Sequence, residues 1–280
     1  MTVKRAKPSI AISADKGIPK LQLERLAQLT ALPLLNKTSR ADYLLHIKTE
    51  HLQLQKHEPL HSKTAKSRKK QKKPLSIYAD FVTGKAQHRR LHGGGKGQNI
   101  ARAVGLHKIS NPRVLDLTAG LGADAFVLAT LGCQVTLVER NLIIYALLKD
   151  ALERARLCTD PDLQAILGRM SLHNENAGRL LDGLDTQALP DVIYLDPMFP
   201  EKQKSAQVKK EMQFLHEIVG ADSDSEAVFL KALAKARKRI VVKRPKLAPG
   251  ISGQIKADFV IRGKSTRYDV YLPRQISTQA

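Results

Sequence analysis

The stretch V-L-D-L-T-A-G-L-G-A-D-A-F, residues 114–126, decides the fold. Its opening residues suit a short buried strand, which runs through Thr118 into a turn holding two glycines and then into an apolar helical pattern. Gly120 and Gly122 permit backbone conformations and close approaches that a side chain forbids. A helix that opens directly after such a turn offers unpaired N–H groups to a ligand. Strand, glycine turn and helix in this order form the first unit of an open α/β sheet, whose ligands lie beyond the carboxyl ends of the strands.

Outward from that unit, short apolar runs at 135–138, 192–195 and 240–242 alternate with helical patterns at 124–131, 142–157, 208–219 and 225–239. The predicted architecture is α/β, a doubly wound and mostly parallel sheet. Residues 258–261 and 267–272, around Gly263, add an antiparallel hairpin at its end. Upstream, a helical pattern at 21–32 stopped by Pro33, a hairpin at 43–55 and a strand at 75–81 make a small α+β domain over 1–81. Residues 82–112 read as a glycine-rich connector with a helix at 98–106, and 113–280 as the ligand-binding domain.

Charge points to the partner. The 280 residues include 47 Lys and Arg against 26 Asp and Glu, a net charge of +21, while 42% of the chain is hydrophobic and excludes wholesale disorder. Such one-sided charge favours a polyanion such as nucleic acid or an anionic membrane surface. The first 73 residues carry 17 basic and 5 acidic side chains. They end in K-S-R-K-K-Q-K-K, residues 66–73, where six of eight residues are basic; self-repulsion there predicts a mobile loop over 61–73. No apolar run approaches the roughly 20 residues of a membrane span, and no signal-peptide pattern opens the chain, so a cytoplasmic location is expected. Cys133 and Cys158 lack metal-ligand spacing and predict neither a disulfide framework nor a metal site.

The string H-R-R-L-H-G-G-G-K-G, residues 88–97, places Arg89, Arg90 and Lys96 beside exposed glycine backbone. It reads as an anion-binding loop, with a flexible hinge between the small and large parts as the alternative. The glycine turn at 120–125 also satisfies the G-x-G-x-x-G/A dinucleotide pattern, which alone leaves an NAD enzyme open. Asp116, inside the strand just before the turn, favours a cationic ligand end over a pyrophosphate and so points to S-adenosylmethionine. Glu139, after the second strand, suits the two ribose hydroxyls of either cofactor. Asp124 is either a ligand contact or a helix N-cap.

The string D-V-I-Y-L-D-P-M-F-P, residues 191–200, supplies the reacting end. Asp196 and the carbonyl of Pro197 are placed to accept the hydrogens of an exocyclic amine, and Phe199 to stack on its base. Lys202 and Lys204 after this turn, with Lys243 and Arg244 after the last parallel strand, would hold nucleic-acid phosphates. An amine on guanine or on adenine fits this geometry equally. A binding protein without catalysis accounts for the charge but not for a glycine turn, Glu139 and Asp196 at the strand ends of one sheet.

These motifs resemble the ribosomal RNA small subunit methyltransferase J family, above all L-D-P-M-F-P-E-K-Q-K-S-A, together with D-L-T-A-G-L-G-A-D, L-V-E-R and V-V-K-R-P, over about 78–272. The resemblance implies a Rossmann-like class I methyltransferase domain. It also implies methyl transfer from S-adenosylmethionine to the exocyclic N2 of a guanine near the 3′ end of small-subunit ribosomal RNA, with that RNA or the 30S particle as partner. Cofactor contacts carried over from it are Ala123, Asp124, Glu139, Arg140, Glu175, Asn176 and Asp196. Glu175 and Asn176 depart from the small hydroxyl residues usual there, and Ala123 stands where arginine is common.

Overall fold

The computed structural model describes residues 8–36, 41–57, 75–198, 214–215, 217–220 and 222–274. The basic tract at 66–73, Phe199, Lys202 and Lys204, and most of the helical pattern expected at 208–219 lie outside them. The chain forms two compact units, one comprising 1–79, 142–151 and 201–220, the other 80–141, 152–200 and 221–280.

The smaller unit holds a four-stranded sheet in the order β1 (Ile10–Ala14), β2 (Tyr43–Ile47), β3 (Leu52–Lys56), β4 (Ser76–Ile77). Helix α1 (Lys20–Thr30) connects β1 to its parallel neighbour β2, and β2–β3 is the expected hairpin with Leu45 opposite Leu54. Ile12, Leu45, Leu54 and Ile77 are buried and form its core. Strand β1 was not expected from the sequence, whose I-A-I-S-A is short and lies next to a basic terminus. The strand expected over 75–81 is only two residues long.

The larger unit begins with α2 (Gly84–His92), a single 3₁₀ turn at Gly95–Gly97 and α3 (Asn99–Val104). Arg89 and Arg90 therefore sit on a helix rather than on the glycine loop. Along the chain then follow β5 (Arg113–Asp116), α4 (Ala123–Thr130), β6 (Gln134–Val138), α5 (Leu142–Arg156, of which 142–151 belong to the smaller unit), α6 (Pro161–Leu167), β7 (Met170–His173), α7 (Ala177–Asp182), β8 (Val192–Leu195), α8 (Ser225–Leu233), β9 (Arg239–Pro245), β10 (Phe259–Arg262) and β11 (Thr266–Tyr271). The seven strands lie in the order β10-β11-β9-β8-β5-β6-β7. β7, β6, β5, β8 and β9 are parallel, and the closing hairpin is antiparallel. The order reverses between β5 and β8, the switch point at which open sheets bind ligands.

Helix α4 is buried from Ala125 to Ala129, which its A-F-V-L-A sequence allows because it is apolar on every side. Phe126 stacks on Phe81 with ring centroids 4.8 Å apart. On one side of the sheet Leu115, Ile193, Leu195 and Val242 pack with Phe229 and Leu233 of α8 and with Tyr271. Each such fully buried side chain contributes about 1.5–3 kcal/mol. Cys133 is buried and unpaired. Helix α8 stops at Leu233 rather than at 239, because the chain must turn before Arg239 enters β9 beside Val192. No described helix is long and apolar enough to cross a membrane.

Candidate active site

Sheet register gathers the site. Asp116 pairs with Tyr194 across β5 and β8, and Leu195 pairs with Val242 across β8 and β9, so Asp196 and Lys243 are the next neighbours in line. Strand side chains alternate faces with period two. Asp116, Tyr194, Asp196 and Lys243 consequently project from the same face, towards the start of α4. Sequence spacing alone does not show this, because it requires knowing which strands are neighbours.

The glycine turn behaves as its residues require. Gly120 (φ 54°) and Gly122 (φ 76°) both occupy the left-handed region, and Gly122 caps α4. The backbone N–H of Gly120 donates to Glu139 Oε2 at 3.0 Å, and that of Asn141 donates to Oε1 at 2.7 Å. Glu139 is thus held against the turn with one acceptor position left on each oxygen. Burial raises its pKa against those two hydrogen bonds. Asn174 donates to the Glu139 carbonyl at 2.8 Å and secures the same strand end from β7.

Asp124 does not cap its helix. Its Oδ2 accepts from Tyr194 Oη at 2.8 Å and from Lys243 Nζ at 2.7 Å, and Arg89 stands 3.8 Å from Oδ1. Burial would raise the Asp124 carboxyl, but the Lys243 ammonium outweighs it and holds the pKa below the usual range. Lys243 Nζ also donates to Asp196 Oδ2 at 2.8 Å. The Asp196 backbone N–H donates to Thr118 Oγ1 at 2.6 Å. Its carboxyl is 39% exposed, and its enclosure by the protein raises its pKa while Lys243 opposes that rise.

Past Asp196, Pro197 is buried, and the Met198 N–H donates to Asp222 Oδ2 at 2.7 Å. Arg140 ion-pairs with Asp222 and, at 2.8 Å, with Asp224. Arg140, expected to contact a cofactor, instead braces the turn after β8 through its side chain. Asn176 caps α7 by accepting from the Arg179 N–H at 3.1 Å, and Glu175 Oε1 accepts from the Asn176 N–H at 2.8 Å. Both side chains have a local structural occupation.

The expected phosphate-binding cations divide. Lys96 is exposed and Arg89 is 42% exposed, so both can meet a polyanion. Arg90 is committed to Asp160 at 2.6 Å and is only 12% exposed. Arg244 is corrected outright: it is buried, donating to the carbonyls of Pro249 and Gly250, because β9 alternates and turns it inward opposite Lys243. Lys243 is held between two carboxylates. Thr118, Tyr194, Asn174 and Asp222 are site residues that sequence reasoning missed. Thr118 had a signal, since it lies inside the glycine-turn motif; the other three needed the fold.

The donor set suits S-adenosylmethionine. Asp124 and Asp196 share Lys243, whereas Asp116 and Glu139 have no cation in hydrogen-bonding contact among the described residues, so the pocket holds carboxyl groups that lack a direct positive partner. Burial drives the Asp116 carboxyl up to about 8, and the charges of Asp124, Asp196 and Glu139 add to the rise despite the Thr118 N–H bonded to it. A ligand with a sulfonium and an ammonium supplies the missing cations, whereas a pyrophosphate adds to the excess. Among the described residues, no group of three or more His, Cys, Asp and Glu is placed to hold a metal ion.

Comparison with known proteins agrees with this chemistry. A family model described as "Putative SAM-dependent methyltransferase" matches residues 27–273. The chain is 50% identical over 208 residues to the ribosomal RNA small subunit methyltransferase J of Cellvibrio japonicus, covering 73% of this chain and 78% of that one. It is 48% identical over 242 residues to the protein of the same name from Dechloromonas aromatica, covering 86% and 92%. Among solved structures, a SAM-dependent methyltransferase from Neisseria gonorrhoeae superposes with a TM-score of 0.69 at 32% identity, covering 95% of this chain and 97% of that one.

Proposed function

The chain belongs to the ribosomal RNA small subunit methyltransferase J family, and from that membership we propose that it methylates the exocyclic N2 of a guanine in small-subunit (16S) ribosomal RNA. S-adenosylmethionine is the methyl donor and supplies an electrophilic methyl group on a sulfonium. Glu139 accepts the ribose hydroxyls, and the backbone of Gly120, Gly122 and Ala123 allows close approach beside it. Asp116 and Asp124 make the pocket favourable to a cation. Asp196 and the Pro197 carbonyl accept the two hydrogens of the guanine amine, drawing its lone pair out of conjugation. Phe199 stacks on the base. The bound cofactor would supply its methyl group to the amine lone pair, and Asp196 would accept the proton released from N2.

The observation that carries this reading is Asp196 itself, fixed at the end of β8 by Thr118 and Lys243 on the edge of a carboxylate-lined pocket. No covalent enzyme intermediate is needed, since an amine attacks without prior addition to its ring, and positioning provides most of the rate. Arg89 and Lys96, with Lys202 and Lys204, hold phosphates around the flipped-out guanine, either in free ribosomal RNA or in the 30S particle. We place the reaction in the cytoplasm because ribosomal subunits are its substrate.

The test is incubation of small subunits from cells lacking the protein with labelled S-adenosylmethionine, followed by nucleoside analysis. Labelled N2-methylguanosine is expected. Label in N6-methyladenosine, or none in RNA, would overturn the assignment.

A further inference from the structure

We propose that Lys243 is a positioning residue for methyl transfer, holding the Asp196 carboxylate by one oxygen so that the other accepts from the guanine amine. The inference rests on the reading of Asp196 above. It departs from the role that the sequence suggests for Lys243, a phosphate contact.

Two elements meet at this lysine. Its ammonium lies 2.8 Å from Asp196 Oδ2 at the end of β8 and 2.7 Å from Asp124 Oδ2 on α4, and Asp124 is fixed in turn by Tyr194 Oη at 2.8 Å. Asp196 Oδ1 accepts no hydrogen bond among the described residues. The Asp196 backbone is tied to Thr118 at 2.6 Å. Main chain and carboxylate are therefore both located before any substrate arrives, and a single oxygen is left to accept. With a side chain 23% exposed, Lys243 is recessed, and a recessed cation between two carboxylates cannot be withdrawn to serve RNA without leaving those charges uncompensated.

The pair also favours the ionised form of Asp196, against the rise that burial causes. Asp116 at the end of β5, Glu139 after β6, Asp124 on α4, Tyr194 on β8, Tyr268 on β11, Arg244 on β9 and Arg89 on α2 share the cluster; burial first and then the Asp124 charge favour a protonated Asp196, and Arg244 acts against them from a distance. Lys243 is the cation in direct contact that opposes them. A protonated carboxyl could not receive the N2 proton.

The experiment compares wild type, Lys243→Met and Lys243→Arg in methylation of small subunits from neutral to alkaline pH, with salt dependence of RNA binding measured in parallel. For Lys243→Met, kcat at neutral pH should fall about 100-fold with KM for RNA and the salt slope unchanged. The deficit should shrink as pH rises and Asp196 ionises without help, and Lys243→Arg should recover much of the rate. A raised KM at unchanged kcat, with the salt slope reduced by about one, would make Lys243 a phosphate contact and overturn the proposal. A deficit equal at every pH would overturn it too. If Lys243→Met does not melt cooperatively, Asp124→Asn/Lys243→Met removes one of the two carboxylates and should show the same pH-dependent deficit. Failure of the wild type to form N2-methylguanosine would instead refute the substrate assignment.

Discussion

Thr118 Oγ1 accepts the backbone N–H of Asp196 at 2.6 Å, so the strand that enters the glycine turn grips the strand that delivers the carboxylate. The cofactor half and the substrate half of the pocket are thereby set to one another. Thr118→Val keeps the shape and removes the acceptor, which costs about 0.5–1.5 kcal/mol. Transfer should slow about tenfold, with Thr118→Ser near wild type in the same steady-state assay.

Asp196→Ala should reduce kcat by about 10²–10³ with the melting temperature little changed, a loss in the range seen on deleting one stabilising group at a reacting centre. Asp196→Asn keeps an acceptor oxygen yet cannot take a proton, and it should stay well below wild type at every pH. Single-turnover transfer measures both.

Burial pushes the Asp116 carboxyl up to about 8 in the folded chain, from the ordinary 3.8 that applies when the chain is unfolded. Between those values the folded state holds a proton that the unfolded state has released, so stability falls as pH rises through that window. Asp116→Asn should flatten this slope in denaturant titrations of the ligand-free protein. A cationic ligand lowers the same pKa. S-adenosylmethionine should therefore release more protons on binding at neutral pH than S-adenosylhomocysteine, as read by calorimetry in buffers of different ionisation enthalpy.

Glu139→Ala removes the proposed ribose acceptor and leaves the Gly120 and Asn141 N–H groups without their partner. Affinity for S-adenosylhomocysteine should fall at least tenfold by calorimetry, since a lost charged acceptor is worth about 1.5–3 kcal/mol. Unchanged affinity would remove Glu139 from the pocket.

Asp222→Ala frees the Met198 N–H and one side of the Arg140 fork together. Transfer should drop about tenfold while cofactor affinity holds, because Glu139 keeps its own partners. Steady-state kinetics beside calorimetry separates the two.

The parallel sheet and its hairpin were legible because buried strands at 114–117, 135–138, 192–195 and 240–242 write themselves as short apolar runs. Edge strand β7 did not, since M-S-L-H is half exposed and carries little apolar signal. Helices α6 and α7 are each announced by a cap, Asp160 before Pro161 and Asn176 before Ala177, but both are too short to show periodicity. Within the site, Asp116, Glu139 and Asp196 were readable from their places beside strand ends. The partners of Lys243 and the inward turn of Arg244 follow from pairing between strands distant in sequence, which no local pattern encodes.

The bond from Met198 to Asp222 closes the chain on itself around residues 199–221. Arg140, paired with the same Asp222, fastens that point beside the pocket. The turn that carries Asp196 is thereby tied to the chain that leads into α8, so a change at the start of that helix is felt at the carboxylate.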